Sequence, residues 1–146
     1  RWATEEQLGA TTFFTYKDEL FAFAEAHSDC ELMIRPHPLA FPHFVEVGKM
    51  TQQEVEDYKE TCKNMPNVQL DERKEYLDSF ASADILIADM SGVILDFLAM
   101  KKPIIFCSYD QELNDANKKL LDAFYVSHNI EELNSYLDLV VVFWYV

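Results

Sequence analysis

The chain has 146 residues, of which 49% are hydrophobic and 26% are charged, a composition typical of a single globular domain and not of a disordered or repeat protein. Its formal net charge of −14 repels phosphate backbones and anionic head groups, so nucleic acids and membrane surfaces are not expected partners. An anionic ligand therefore has to be held by backbone N–H groups and by one or two well-placed cations.

The three cysteines, Cys30, Cys62 and Cys107, are widely spaced. This pattern argues against a disulfide scaffold and a structural zinc site, and it suits a reducing, cytoplasmic environment. No Asp, Glu or His cluster has metal-ligand spacing, so we expect neither a metal nor another cofactor. No apolar stretch reaches the ~20 residues of a transmembrane helix, so no direct membrane span is expected.

Helical and strand periodicities alternate through the first half of the chain. Pro36 predicts the end of the strand over Glu31–Arg35. Thr51, with Glu54 three residues later, predicts a capping box at the start of a helix. The predicted elements are a helix over Tyr16–Ala26, a strand over Glu31–Arg35, a helix that begins after Thr51 and ends near Lys63, a strand over Asn67–Leu70 and a helix over Arg73–Ser82.

The second half continues the alternation, and its clearest unit is a buried strand, a tight turn and an apolar helix. The apolar tail Leu139–Val146 is too short to span a membrane and predicts a strand or a packing segment. The predicted elements are a strand over Ile85–Ala88, a turn over Asp89–Gly92, a helix over Val93–Met100, a strand over Pro103–Cys107, a helix over Asp115–Phe124, a strand over Tyr125–Ser127 and a helix over Ile130–Leu137.

This alternation predicts an α/β fold with a doubly wound, Rossmann-like, mostly parallel sheet that has helices on both faces. Such a sheet needs a central strand before Tyr16, for which the chain offers only the stub Arg1–Thr4. We therefore expect that upstream residues complete the sheet, or that the chain closes the gap by homodimerising or by recruiting Val140–Val146.

Polar residues follow two of the predicted strands, at the sheet edge where α/β proteins bind ligands. Ser91 and Gly92 combine a hydroxyl with a closely approachable backbone at the start of a helix, which suits phosphate binding. The alternative is that Ser91, with Asp89, only caps that helix. Asp96 lies one turn further along and either reaches a ribose or is simply a polar surface position.

His37 lies between two prolines at the end of the strand over Glu31–Arg35, so its backbone is held extended. A rigid histidine there suits acid–base chemistry or a phosphate contact, and Arg35 offers a fork for phosphate oxygens. The alternative is a structural turn. We expect Arg35, His37, Ser91 and Asp96 to converge on one cleft.

Three linked segments carry a family resemblance: Arg35-Pro36-His37-Pro38, then the run from Ser82 to Phe97, then Lys101-Lys102-Pro103-Ile104. Together they resemble the CDP-glycerol glycerophosphotransferase family, the GT-B-fold polymerases and primases of teichoic acid synthesis. That family's pattern is a basic residue before x-H-P, a strand ending in T-D-Y-S-S with an aspartate five residues after the first serine, and K-x-P-I.

The resemblance implies that His37 contacts the donor pyrophosphate or assists transfer, that Ser91 and the Gly92 N–H bind phosphate, and that Asp96 lies near the ribose. A similar S-G-x-x-x-[DE] arrangement occurs in UDP-N-acetylglucosamine epimerases. The chain departs from the pattern where Ala88 replaces the threonine, Met90 the tyrosine and Gly92 the second serine. The missing hydroxyl at Gly92 leaves the identity of the donor open.

By this resemblance, residues 1–146 form one nucleotide-donor-binding domain, the C-terminal half of a GT-B transferase. The expected reaction moves glycerol phosphate, or a related polyol phosphate, from a CDP-activated donor to a teichoic-acid-type or other cell-surface polymer acceptor. A missing N-terminal domain would bind that polymer or lipid-linked acceptor, at the inner face of the membrane, so the fragment alone should be inactive. The alternatives are a UDP-sugar-dependent glycosyltransferase or epimerase-like domain and a degenerate, non-catalytic nucleotide-binding domain.

Overall fold

The computed structural model describes residues 11–89, 91–108 and 115–144, so the expected strand at Arg1–Thr4 and the motif residue Met90 lie outside it. The helices are α1 (Phe13–Ala26), α2 (Ala40–Glu46), α3 (Gln52–Asn64), α4 (Leu77–Ser82), α5 (Ile94–Ala99), α6 (Asp115–Leu121) and α7 (Ile130–Trp144). The strands are β1 (Leu32–Ile34), β2 (Val68–Leu70), β3 (Leu86–Ala88), β4 (Ile104–Cys107) and β5 (Tyr125–Ser127).

The predicted α/β class is confirmed, since all of the described strand pairs are parallel and helices separate the strands along the chain. Hydrogen bonds group these strands into two sheets, β1-β2 and β3-β4-β5, where the alternation had suggested one. The chain accordingly forms a two-stranded unit over Lys17–Tyr76 and a three-stranded unit that takes in the remaining described residues. The single donor-binding domain expected over residues 1–146 stays a prediction.

The two-stranded unit contains β1 and β2, and α3 packs against β2. The predicted capping box is present, because the Thr51 hydroxyl accepts from the Glu54 amide and the Glu54 carboxylate accepts from the Thr51 amide. The Asn67 side-chain amide donates to three carbonyls at or beyond the end of α1, those of Ala24, His27 and Cys30, at 2.8–3.2 Å. Asn67 therefore fixes the end of α1 to the start of β2.

The three-stranded unit is organised around β4, in which every residue is buried. α7 packs against β4 and β5, and the rings of Phe80 and Phe97 meet edge to face at 5.2 Å. Lys102 donates from its ammonium group to the carbonyls of Phe80, Ala81 and Ala83 and so satisfies the C-terminal end of α4.

The prediction of a strand in the apolar tail Leu139–Val146 is wrong, because the tail is helical up to Trp144. Tyr145 and Val146 lie outside the described residues. Leu133, Leu137 and Val140 recur at helical spacing and are 0–3% exposed. A short apolar run does not distinguish a strand from a buried helix, and burial of this face outweighs the modest helix propensity of valine.

Several helix boundaries also differ from the sequence prediction, and one helix was missed. α4 begins at Leu77 and not at Arg73, because residues 71–74 form a side-chain-stabilised turn. The short helix α2 was not predicted from the sequence, and it contains Pro42 in its first turn. Proline is tolerated there because the N–H groups of a first helical turn have no intrahelical partner to lose.

Candidate functional site

The ends of β1 and β2 lie side by side, since Ile34 pairs with Leu70 in a parallel register. The next residue along, Asp71, donates its backbone N–H to the Ile34 carbonyl at 2.8 Å. Arg35 and Asp71 are therefore the first residues beyond two adjacent strand ends. This is the sheet edge at which the strand-end rule places a ligand.

The Asp71 carboxylate is buried, with 1% of its side chain exposed, and it bonds to two guanidinium groups. Arg35 donates to it through Nη1. Arg73 donates to it through Nε at 2.7 Å and through Nη2 at 3.0 Å. These charge-assisted hydrogen bonds replace the water shell that the carboxylate loses on burial.

Arg35 uses its second terminal nitrogen within the protein as well. Its Nη2 donates to the carbonyls of Arg73 and Lys74, and its side chain is 18% exposed. Arg35 therefore fastens the turn over residues 71–74 to the end of β1. The expected contact of Arg35 with a donor phosphate stays a prediction.

His37 is exposed and lies two residues beyond Arg35. Its carbonyl accepts from the Ala40 amide at 2.8 Å, and its ring Nδ1 accepts from the Leu39 amide at 3.2 Å. Because Nδ1 has to be unprotonated to accept, the neutral ring carries its proton on Nε2. Partial burial of the ring lowers the pKa of His37 below its usual value, which favours this neutral form.

Ser91, Gly92 and Asp96 are all exposed around the start of α5. The Ser91 carbonyl accepts from the Ile94 amide at 3.2 Å, and Val93, the N-cap residue, makes no side-chain cap bond. A Cβ added at Gly92 would meet nothing within 4 Å, so packing does not require glycine here. The backbone at Gly92 is thus open to close approach, and the predicted phosphate and ribose contacts stay predictions.

Asp89 follows β3 directly, and its carboxylate accepts from the Thr12 amide at 2.9 Å and from the Thr12 hydroxyl at 3.2 Å. Thr12 precedes α1, and its carbonyl accepts from the amides of the first turn of that helix. Asp89 therefore stabilises the start of α1, and the cap of α5 that the sequence suggested for it stays a prediction. Burial raises the pKa of Asp89, although the bonds from Thr12 partly oppose the shift.

The other strand ends of the three-stranded unit carry polar groups that serve packing. Burial raises the pKa of the Cys107 thiol to about 12, so it is uncharged at neutral pH and is not an activated nucleophile. The Ser127 hydroxyl donates to the Asn129 carbonyl at 2.9 Å and lies 3.5 Å from the Tyr16 hydroxyl. Neither side chain is placed as a catalytic nucleophile.

An open groove of about 510 Å³ lies between α1 and α3 in the two-stranded unit. Its walls include Asp18, Phe21, Thr61 and Met65, and none of the predicted site residues lines it. In the described part of the chain, no group of three or more His, Cys, Asp or Glu side chains could hold a metal ion. The helices within those same residues include none long and apolar enough to cross a membrane.

The predicted site residues fall into two groups. Arg35 and His37 belong to the two-stranded unit, whereas Ser91, Gly92 and Asp96 belong to the three-stranded unit. Their convergence on one cleft stays a prediction. Sequence reasoning missed the turn that begins Asp71-x-Arg73, although the same strand-end rule, applied to the predicted strand over Asn67–Leu70, would have found it.

Parallel strands that alternate with helices and lead directly into polar turns are consistent with a Rossmann-like α/β fold. Residues 4–127 match the CDP-Glycerol:Poly(glycerophosphate) glycerophosphotransferase family. The chain belongs to this family, and the family supports a polyol-phosphate transferase that uses a nucleotide-activated donor. No curated protein and no solved structure matches the chain.

Proposed function

We propose that this chain is the donor-binding half of a GT-B-type transferase that moves glycerol phosphate, or a related polyol phosphate, from a CDP-activated donor. The acceptor is a teichoic-acid-type or other cell-surface polymer, bound by a further domain. The reaction takes place on the cytoplasmic side, and the further domain brings the enzyme to the inner face of the membrane. The family match over residues 4–127 carries the proposal, because it includes the polar residues that follow β1 (Arg35 and His37) and β3 (Ser91, Gly92 and Asp96).

The reaction is a substitution at phosphorus. An acceptor hydroxyl attacks the phosphorus next to the polyol and loses its proton to water, the bond from that phosphorus to the bridging oxygen breaks, and CMP leaves. Catalysis then consists mainly of holding the diphosphate in line and stabilising charge that grows on the leaving phosphate. Hydrogen-bond donors at the strand ends suit this task, since they are fixed before the ligand arrives.

His37 suits the role of a donor to phosphate better than that of a general base. Its Nδ1 accepts from the Leu39 amide, so the neutral ring carries its N–H group on Nε2. Accepting a proton at Nε2 would instead require the other tautomer, whose Nδ1–H would face the Leu39 N–H. The sequence left both roles open, and the hydrogen bond to Leu39 favours the phosphate contact.

Nucleotide titration of the chain tests the proposal, with calorimetry as the readout for CDP-glycerol, CDP-ribitol, CMP, UDP-glucose and UDP. Binding of the CDP compounds at least about tenfold tighter than the UDP compounds is the expected result, which corresponds to ~1.4 kcal/mol. Preference for UDP compounds would support the sugar-transfer alternative instead. Absence of binding to any nucleotide would leave a degenerate, non-catalytic domain.

Variants of His37 refine the same titration. His37→Gln keeps an N–H donor near the position of Nε2, whereas His37→Ala removes it, so we expect the glutamine variant to retain more affinity for CDP-glycerol. His128→Ala is the control, since His128 is also exposed and pairs with Glu132 at 2.9 Å. Equal affinity in all three variants would reduce His37 to a turn residue.

A further inference from the structure

The Asp89 carboxylate connects the end of β3 to the start of α1 through a single oxygen. Its Oδ2 atom accepts from the Thr12 amide at 2.9 Å and from the Thr12 hydroxyl at 3.2 Å. Thr12 is itself buried, and both residues belong to the three-stranded unit. The residue that follows β3 is therefore fixed to a part of the chain 77 residues earlier.

Thr12 is a firm anchor, because it precedes a helix whose first turn is packed. Its carbonyl accepts from the amides of Thr15 and Tyr16 at 3.1 and 3.2 Å. The Tyr16 side chain is buried, and its hydroxyl lies 3.5 Å from that of Ser127 at the end of β5. A bond to Thr12 is thus a bond to the packed part of the unit.

The turn that follows Asp89 is held at its helix end by the backbone of α5. The Ser91 carbonyl accepts from the amide of Ile94, a buried residue, at 3.2 Å. Ser91 and Gly92 are exposed, and a Cβ added at Gly92 would meet nothing within 4 Å, so side-chain packing does not fix this part of the turn. On the strand side, the Asp89 side chain supplies the anchor from which the turn departs.

We propose that Asp89 is a positioning residue, which holds, through Thr12, the turn that presents the Ser91 and Gly92 N–H groups to a phosphate. The phosphate contact of this turn rests on the function proposed above, whereas the anchoring by Thr12 does not. Amide groups that are oriented before the ligand arrives bind it without a further loss of backbone entropy. They also stabilise growing charge on a leaving phosphate without reorganising. Asp89 thus contributes to ligand binding although its carboxylate contacts the protein.

Nitrogen-15 relaxation of the ligand-free chain tests the anchoring by itself. Asp89→Ala removes the acceptor of both Thr12 bonds, so the amide order parameters of Ser91 and Gly92 should fall from about 0.85, the value of rigid backbone, to about 0.6. Asp89→Asn keeps an oxygen that accepts both bonds and should restore the rigid values. Asp84→Ala, at an exposed aspartate before β3, is the matched control and should leave the turn unchanged.

Titration with inorganic pyrophosphate, followed by calorimetry, tests the consequence for binding. Asp89→Ala should weaken the affinity at least about fivefold, the scale of reordering one residue of backbone. Loss of a negative charge alone would instead tighten anion binding, in Asp89→Asn as well as in Asp89→Ala. Weaker binding in the alanine variant, with no weakening in Asp89→Asn or Asp84→Ala, therefore isolates positioning from charge.

Thr12 supplies a second test, which decides the matter if thermal unfolding shows that Asp89→Ala does not fold. Thr12→Val keeps the shape of the side chain and the amide donor but removes the hydroxyl donor. We expect smaller losses of amide order and of pyrophosphate affinity than in Asp89→Ala. Thr12→Ser retains the hydroxyl and should match the parent chain in both measurements.

The outcomes separate this inference from the proposed function. Rigid Ser91 and Gly92 amides in both Asp89→Ala and Thr12→Val overturn the anchoring. A mobile turn with unchanged pyrophosphate affinity, or no pyrophosphate binding by the parent chain, overturns the link between the turn and phosphate. In parallel titrations with CDP, binding that does not depend on Asp89 overturns the positioning role while leaving the donor proposal intact. Pyrophosphate binding that depends on Asp89, without CDP binding, supports the positioning role and contradicts the donor proposal.

Discussion

Asp71 and Asp89 occupy equivalent places in the two units, since each directly follows a parallel strand, but different partners stabilise their carboxylates. Asp71 is bonded to the guanidinium groups of Arg35 and Arg73. Asp89 is bonded to the amide and the hydroxyl of Thr12. One carboxylate is therefore stabilised by opposite charge, and the other by neutral donors at the start of a helix.

The difference decides what each carboxylate contributes to folding. A buried ion pair becomes costly when one partner is removed, because the remaining charge stays desolvated. A buried carboxylate held by neutral donors carries its own desolvation cost while it is ionised, and burial accordingly raises the pKa of Asp89. Removing the two charges should therefore change the free energy of unfolding by different amounts.

Removal of the Asp71 charge is expected to have the largest effect. Asp71→Asn keeps the size of the side chain but leaves two guanidinium groups without their anion, so the free energy of unfolding should fall by about 3 kcal/mol. Urea denaturation at pH 7 measures it as a lower midpoint at unchanged slope.

Glu72→Gln is the matched control, because Glu72 is the next residue and forms an exposed ion pair with Lys59. Exposed pairs contribute ~0–1 kcal/mol, so this variant should stay close to the parent chain. Equal losses in the two variants would show that the Asp71 cluster behaves as an ordinary surface ion pair.

Removal of the Asp89 charge should have a smaller effect, of opposite sign. Asp89→Asn keeps an oxygen that accepts from Thr12, and it eliminates the cost of burying an ionised group. The free energy of unfolding at pH 7 should therefore stay unchanged or rise by up to ~1 kcal/mol. A loss of several kcal/mol would mean that Thr12 needs a full negative charge.

The pH dependence sharpens this prediction. The pKa of Asp89 in the folded chain lies above its ordinary value of 3.8. At pH values between 3.8 and the folded pKa, the folded chain therefore retains a proton that the unfolded chain has released. The stability of the parent chain relative to Asp89→Asn is therefore greatest below pH 3.8 and decreases as the pH rises through the folded pKa. Paired denaturation curves from pH 3 to pH 7 measure the difference, in which contributions common to both chains cancel.

Most of the element order was predictable from the sequence, because strong local signals specify it. The capping box at Thr51 and the apolar run over Ile85–Ala88 each depend on neighbours within a few residues. The helix through Trp144 was not predictable in this way, since its assignment depends on burial against β4 and β5. The division of the strands into two sheets likewise depends on contacts distant in the chain.

The position of Arg35 at a strand end was predictable from the sequence, whereas its contacts were not. The strand-end rule selected Arg35, and the structure places it there. Its saturation by Asp71 and two carbonyls, and the exposure of Arg73, depend on a contact between residues 36 positions apart. Asp89 was expected at the helix that follows it, and the bonds to Thr12, 77 residues away, could not be expected from local sequence.

Each unit has one residue with positive φ among the described residues, and both residues follow helices. Gly48 follows α2 with φ 70°, and Lys101 follows α5 with φ 58°. Glycine adopts this left-handed conformation without penalty, whereas a residue with a Cβ pays ~1 kcal/mol or somewhat more. The two-stranded unit thus has glycine, which favours positive φ, after its helix. The three-stranded unit has lysine, which disfavours positive φ, at the corresponding position.

Reciprocal substitutions measure the cost in both units. Lys101→Gly should raise the free energy of unfolding by ~1 kcal/mol, and Gly48→Ala should lower it by a similar amount. Thermal unfolding measures both changes as shifts of the midpoint. A Cβ at Gly48 meets nothing within 4 Å, so the second change isolates the backbone term from packing. Lys101→Ala is the control, because it removes the charge but keeps the Cβ and should give no gain. If alanine and glycine at position 101 stabilise equally, the lysine charge and not the backbone conformation is the source of the cost.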